Sequence, residues 1–237
     1  MKKIFLVLNL FLSLFVFGQN EQLAMNYFDK GEFEKAIISF DDLLKNQPGN
    51  SFYFQKIVES YQQLQQYDNA EKRIQERFEK FKQPSLLVEL GYNYQLRKDA
   101  VKAKKYYDQA IDKINENPSN VYTIANTFEK KVLLDYALEA YKLGIKLEPK
   151  FNFNYQMAVL YGQQGNTDQM IEMFLDEAFA NPNSTIMIQN QLSRFMTEEA
   201  EESFNTSLRK ALLVRAQKNQ DIFWNQFLSW FFVQQKD

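Results

Sequence analysis

Two pairs of adjacent carboxylates, Asp41 with Asp42 and Glu201 with Glu202, are the residues of this chain best suited to acid-base chemistry. Paired carboxyl groups divide the roles of acid and nucleophile in glycoside hydrolysis. Both pairs stand in helical stretches of ordinary charged character, and no polar site converges on them in the sequence. Histidine and cysteine are absent from the 237 residues. That removes the neutral-pH proton shuttle, the thiol nucleophile and the usual metal ligands. Neither a glycine-rich phosphate loop nor a nucleophile elbow is present. The expectation is a protein that is not an enzyme and that uses no cofactor and no metal.

The elements that must position the remaining side chains show themselves as columns. A small residue recurs as Ala24, Val58, Gly91, Ala125 and Ala158, with an aromatic three residues later as Tyr27, Tyr61, Tyr94, Phe128 and Tyr161. Each column steps by 34, 33, 34 and 33. A second pair of columns keeps the same register: Ala36, Ala70, Ala103, Ala137 and Met170, then Phe40, Ile74, Tyr107, Tyr141 and Phe174 four residues on. The template is the stretch from Leu87 to Ala110. There Gly91 and Ala103 let two antiparallel helices approach, while Tyr94 and Tyr107 fill the space beside the crossing. Gly31 supplies the backbone freedom of the first helix-to-helix turn. The five prolines, Pro48, Pro84, Pro118, Pro149 and Pro182, each close a repeat, as expected of residues that cannot continue a helix. No alternating pattern argues for strands. The class is all-α.

A period of about 34 residues with Leu-Gly-x-x-Tyr, then Ala-x-x-x-aromatic, then Pro resembles the tetratricopeptide repeat family. The resemblance runs from about Asn20 to Pro182. It implies a right-handed α-solenoid of helix-turn-helix repeats, five of them over residues 19–183. A divergent sixth helix pair follows over 184–220, and an aromatic first helix of an incomplete further repeat over 221–237. Met170 stands where the family has alanine, and its flexible side chain suits a close crossing. The charged run from Glu71 to Lys80 reads as a solvated face. The apolar turn Lys131 to Tyr136 either packs beneath itself or forms a contact surface.

Function in this family resides in partners gripped by the concave first-helix face. The resemblance places Phe52, Gln55, Glu59 and Gln62 there, then Ser85, Val88, Tyr92 and Gln95. Ser119, Tyr122, Asn126 and Glu129 follow, and then Asn152, Tyr155 and Val159. That face is aromatic and amide-rich. Tyrosine offers apolar area with a hydrogen-bonding tip, which suits an extended peptide. Some relatives hold a peptide carboxylate through a lysine and asparagine pair. Of that pair only Asn126 has a counterpart here, so the carboxylate clamp does not carry over.

The ends differ from the middle. Lys2 and Lys3 precede an apolar run over residues 4–17, whose end gives Val16-Phe17-Gly18 at the positions a signal peptidase reads. A leader over 1–18 is expected, with export to the periplasm of a Gram-negative cell. Without Lys2 and Lys3 the chain carries 26 basic against 30 acidic residues, a net charge of -4. That balance offers nucleic acid no electrostatic footprint. Near the other end, Phe223, Trp224, Phe227, Trp230 and Phe231 leave a helix with almost no polar face. It is expected to bind a partner through Phe223, Trp224 and Trp230, or to mediate self-association. The functional expectation is a protein-protein interaction scaffold or adaptor for peptide or protein segments. Its competitor is a spacer or sensor portion of a longer, truncated multi-repeat protein.

Overall fold

The computed structural model describes residues 20–196, 202–219 and 221–235. The expected leader and Glu201 lie outside the described residues. Thirteen α-helices and two short 3-10 turns are present among the described residues, and no strand. The chain divides into two compact units, Met1–Lys113 and Ile114–Asp237, with the boundary inside one helix.

The first unit holds α1 (20–29), α2 (Phe33–Asn46), α3 (Ser51–Gln63), α4 (Tyr67–Phe81), α5 (Ser85–Leu96) and most of α6 (Ala100–Glu116). Neighbours in sequence are neighbours in space: α2 packs on α3, α3 on α4, and α4 on α5. The second unit holds α7 (Val121–Lys130), α8 (Leu134–Leu147), α9 (Asn154–Gln163), α10 (Thr167–Ala180), α11 (Thr185–Ser193), α12 (Glu202–Lys218) and α13 (Ile222–Gln235). There α7 packs on α8, α9 on α10, α10 on both α11 and α12, and α12 on α13. Packing of helices on their near neighbours in sequence is the energetic pattern of a repeat protein.

The columns read from the sequence form the core. Every residue of the small first-helix column is buried, as is the second-helix column from Ala36 to Met170 and its aromatic partner from Phe40 to Phe174. Each large side chain so buried contributes about 1.5–3 kcal/mol. At the crossing of α5 and α6 the space is fully used. A methyl group added at Gly91 would lie 2.3 Å from the Tyr107 ring and 3.1 Å from the Ala103 carbonyl oxygen. Met170 fits its small-residue position by a different route. Its sulfur sits 2.8 Å from where a methyl at Gly162 would stand, so the missing volume has moved to the facing helix.

A further column appears only in the backbone. Gly31, Gln65, Lys98, Val132 and Gly165 all adopt the left-handed conformation, with φ of 75°, 57°, 63°, 57° and 73°. Each lies between the two helices of a repeat. In every case the amide of the next residue donates to the carbonyl of the aromatic column, Tyr27, Tyr61, Tyr94, Phe128 or Tyr161, at 2.8 to 3.0 Å. This is the Schellman closure that satisfies a helix's last carbonyls. Val132 is the costly member, because a β-branched residue is disfavoured at positive φ. Its side chain is 73% exposed, so it does not pack beneath the turn.

The C-terminal halves of the second helices carry one more buried column: Leu43, Arg77, Ala110, Gly144 and Glu177. Arg77 and Glu177 tie their helices to the turn that introduces their own repeat. Arg77 donates to the carbonyls of Pro48 at 3.2 Å and Gly49 at 3.1 Å, and to the Ser51 hydroxyl at 3.3 Å. Glu177 accepts from Asn152 Nδ2 at 2.7 Å. Arg77 therefore departs from the solvated face expected of its helix. So do Arg73, which pairs with Asp41, and Glu71, which accepts from the Tyr94 hydroxyl and Arg97.

Candidate protein-binding surfaces

In the first unit the candidate side chains lie on α3 and α5. Asn50 caps α3, its Oδ1 accepting from the amides of Phe52 at 3.0 Å and Tyr53 at 3.2 Å. That cap fixes where Phe52 leaves the helix. Phe52 is 43% exposed, and its ring makes an edge contact with Phe40 at 6.2 Å. One turn on, Glu59 accepts from Gln55 at 2.8 Å and pairs with Lys56 at 2.9 Å. The Lys56 ammonium also sits 4.0 Å from the centre of the Phe28 ring. These residues form a preorganised aromatic and charged strip, because each polar group already has a partner. Tyr92 is half-buried on α5.

Val88 does not belong to an accessible face, which corrects the expectation: it is 0% exposed. Its helix buries Leu86, Leu87, Leu90, Gly91, Asn93 and Tyr94 as well. With apolar residues around most of its circumference, α5 turns no clean stripe to solvent.

The second unit carries an aromatic surface. Tyr122, on the first turn of α7, is 54% exposed. Its ring meets Phe151 at 5.3 Å and Phe153 at 5.2 Å, both edge-on, and Phe153 packs on Tyr141 at 4.7 Å. Phe153 is buried and Phe151 half-buried. Tyr122 is thus an exposed ring standing on an anchored aromatic floor. Asn126, one turn along α7, is exposed, and Tyr155 on α9 is half-buried against Phe174 at 5.8 Å. Asn152 Oδ1 accepts from the Asn154 amide at 3.0 Å, holding the loop that supplies Phe151 and Phe153. The repeat register places Tyr122, Asn126 and Tyr155 here, whereas Phe151 and Phe153 join them from the loop ahead of α9. Their spacing to Tyr122 gives no helical period, so only the loop's path reveals the cluster.

On α13, Phe223 and Trp230 are half-buried, whereas Trp224 is buried and offers no binding face. Trp224 stacks on Phe179 at 5.1 Å and lies 5.1 Å from the Arg215 guanidinium. Arg215 also reaches Glu172 and Asp176 on α10, the latter at 2.7 Å. Trp224 is therefore a packing residue joining α10, α12 and α13.

Three tyrosine hydroxyls titrate above their usual range. The hydrogen bond to Glu21, helped by burial, pushes Tyr53 up to about 12. Burial and then a carboxylate acceptor raise Tyr94, through Glu71, and Tyr141, through Glu129. All three stay neutral donors and act as struts between helices. Among the described residues no group of three or more acidic side chains could hold a metal ion, and no helix is long and apolar enough to cross a membrane.

Buried columns, left-handed turns and hairpin-by-hairpin packing define an all-α helix-hairpin repeat protein. Residues 20–50, the first of these hairpins, match a family model described as a tetratricopeptide repeat. Among solved structures the chain is similar to MamA, with 19% identity over 71% of this chain and 95% of that one at a TM-score of 0.33. It is similar to YrrB, a TPR protein with an unusual peptide-binding site, with 16% identity, coverages of 72% and 89% and a TM-score of 0.35. TTC0263, a thermophilic TPR protein of Thermus thermophilus, shows 16% identity, coverages of 74% and 96% and a TM-score of 0.39. No curated protein matches the chain. Repeat arrays of this kind present extended surfaces for protein partners.

Proposed function

We propose that this protein is a non-enzymatic interaction scaffold or adaptor of the cell envelope that captures peptide or protein segments on the exposed faces of its first helices. The observation that carries the reading is Tyr122, exposed on the floor formed by Phe151 and Phe153 with Asn126 beside it. An anchored ring with an amide one turn away grips an apolar side chain and reads the neighbouring backbone, at little entropic cost to the protein. Phe52 with the Glu59 and Lys56 pair supplies a second strip in the first unit. A peptide selected against the full chain from a displayed library should lose about tenfold or more in affinity on Tyr122→Ala, with helicity unchanged. Unchanged affinity for every selected peptide would overturn the assignment.

Export is part of the proposal and rests on Lys2 and Lys3 ahead of the apolar run. N-terminal sequencing of protein from the periplasmic fraction should begin at Gln19; recovery only from the cytosol with Met1 retained contradicts it. Self-association through α13 would use its exposed Ile222 and Val233. Sedimentation should then show a concentration-dependent species that the Ile222→Ser, Val233→Ser double variant lacks, and a monomer at every concentration rules it out.

A further inference from the structure

The second helices of the first unit carry a cleft that the surfaces above do not use. It has a volume of about 400 Å³ and lies between α2 and α4, with Leu44, Pro48, Phe54 and Phe81 among its walls. That is the size of a small ligand pocket or of a site for one or two side chains.

Its charge is unbalanced in a specific way. Arg77 lines the cleft yet is only 6% exposed. Its hydrogen bonds go to two backbone carbonyls and a hydroxyl, all neutral acceptors. Phe54 and Phe81 flank the guanidinium at 4.5 and 4.8 Å. Among the described residues no carboxylate pairs with it. Of the two acids lining the cleft, Asp41 is engaged by Arg73, and Glu76 is exposed and forms no ion pair with the described residues. Lys80, on the same side of α4 one turn away, stands 5.3 Å from the Phe81 ring and likewise has no ionic partner among them. A buried cation without a counter-charge carries a desolvation cost that an approaching anion offsets. The aromatic and aliphatic walls beside it suit an apolar side chain.

We propose that this cleft is a second binding site, for an acidic peptide segment of a partner protein. The segment sets a carboxylate between Lys80 and the Arg77 edge and lays a neighbouring aromatic or aliphatic side chain against Leu44 and Phe81. Charge complementarity selects this occupant, since a basic segment would meet two unpaired cations. The site is separate from the first-helix surfaces and does not depend on them.

The test is fluorescence anisotropy with the full chain and a fluorescein-labelled peptide alternating glutamate and phenylalanine, against a counterpart with lysine for glutamate. Arg77 also holds a turn, so the variants are the exposed Lys80→Glu and Glu76→Lys, each checked for unchanged helicity. The acidic peptide should bind, with affinity falling at higher salt, while the lysine peptide should not. Lys80→Glu should weaken binding about tenfold and Glu76→Lys should tighten it, as expected of charge changes a few ångströms from a bound carboxylate. Tyr122→Ala should leave it unchanged. Equal binding of the two peptides overturns the proposal. So does an affinity insensitive to Lys80→Glu, or one lost on Tyr122→Ala, which would place the peptide on the first-helix surface.

Discussion

Arg77 in the first unit and Glu177 in the second occupy the same column of the repeat, and both tie the C-terminal half of a second helix to the turn ahead of its own repeat. One is a cation offered neutral oxygens; the other is an anion offered amide N–H groups. The column therefore specifies reach and burial, while polarity follows whatever the facing turn presents. Where the turn asks for nothing, the position shrinks: Ala110 fills it in the third repeat and Gly144 in the fourth, where Val121 closes to 2.9 Å of an added methyl. Both charged versions are held by neutral groups, but Arg77 also lines an open cleft, which is why its charge can meet a ligand.

Reversing the two charges should give the largest effects and should not give equal ones. Arg77→Glu would set a carboxylate against backbone carbonyls that cannot turn away, at a cost of about 3–5 kcal/mol. Glu177→Arg faces the side-chain amides of Asn152 and Asn181, which can rotate to offer oxygen. Its cost should be smaller, about 2 kcal/mol. Urea unfolding of the two variants measures the difference, and equal losses would break the claim that the turn dictates polarity.

A second contrast lies at the helix crossings. Gly91→Ala drives a methyl into the Tyr107 ring and a backbone carbonyl, and should destabilise by about 2 kcal/mol despite alanine's better helix propensity. Gly162→Ala meets only the flexible end of Met170, so it should stay within about 0.5 kcal/mol of the parent. Thermal melts of both sharpen the reading that volume, rather than residue type, is held constant. A third comparison sets Val132 against Gly31 and Gly165 at the same turn position. Val132→Gly relieves positive-φ strain and should stabilise by about 1 kcal/mol.

A last effect is a pH dependence confined to the alkaline range. Because Tyr53 titrates at about 12 when folded and near 10 when unfolded, its contribution is complete below pH 10 and is lost as pH rises toward 12. Tyr53→Phe should flatten that alkaline segment of the stability profile without changing the slope near neutrality.

The repeat was legible because buried small and aromatic residues recur in fixed register. The left-handed turns were only partly so: Gly31 and Gly165 announce them, but Gln65, Lys98 and Val132 hide the same geometry behind residues that rarely adopt it. Arg77 was unreadable for a related reason, since Glu76, Glu79 and Lys80 beside it are exposed and nothing in the local pattern marks one arginine as buried. Val88 was misplaced because positions carried over from the family assume a helix with one wet face, and α5 is apolar around most of its girth. Tyr122 was found by register alone, whereas the floor that makes it a surface, Phe151 and Phe153, comes from a loop whose path the repeat period does not encode.

The central claim is that exposed aromatics on the first helices bind protein segments. The most direct measurement is selection of displayed peptides against the full chain, followed by affinities for the parent, Tyr122→Ala and Lys80→Glu proteins with circular dichroism on each. Peptides whose affinity falls about tenfold on Tyr122→Ala, with helicity retained, are the expected result. A selection in which every peptide is indifferent to Tyr122→Ala, or a variant that loses helicity and binding together, would contradict it.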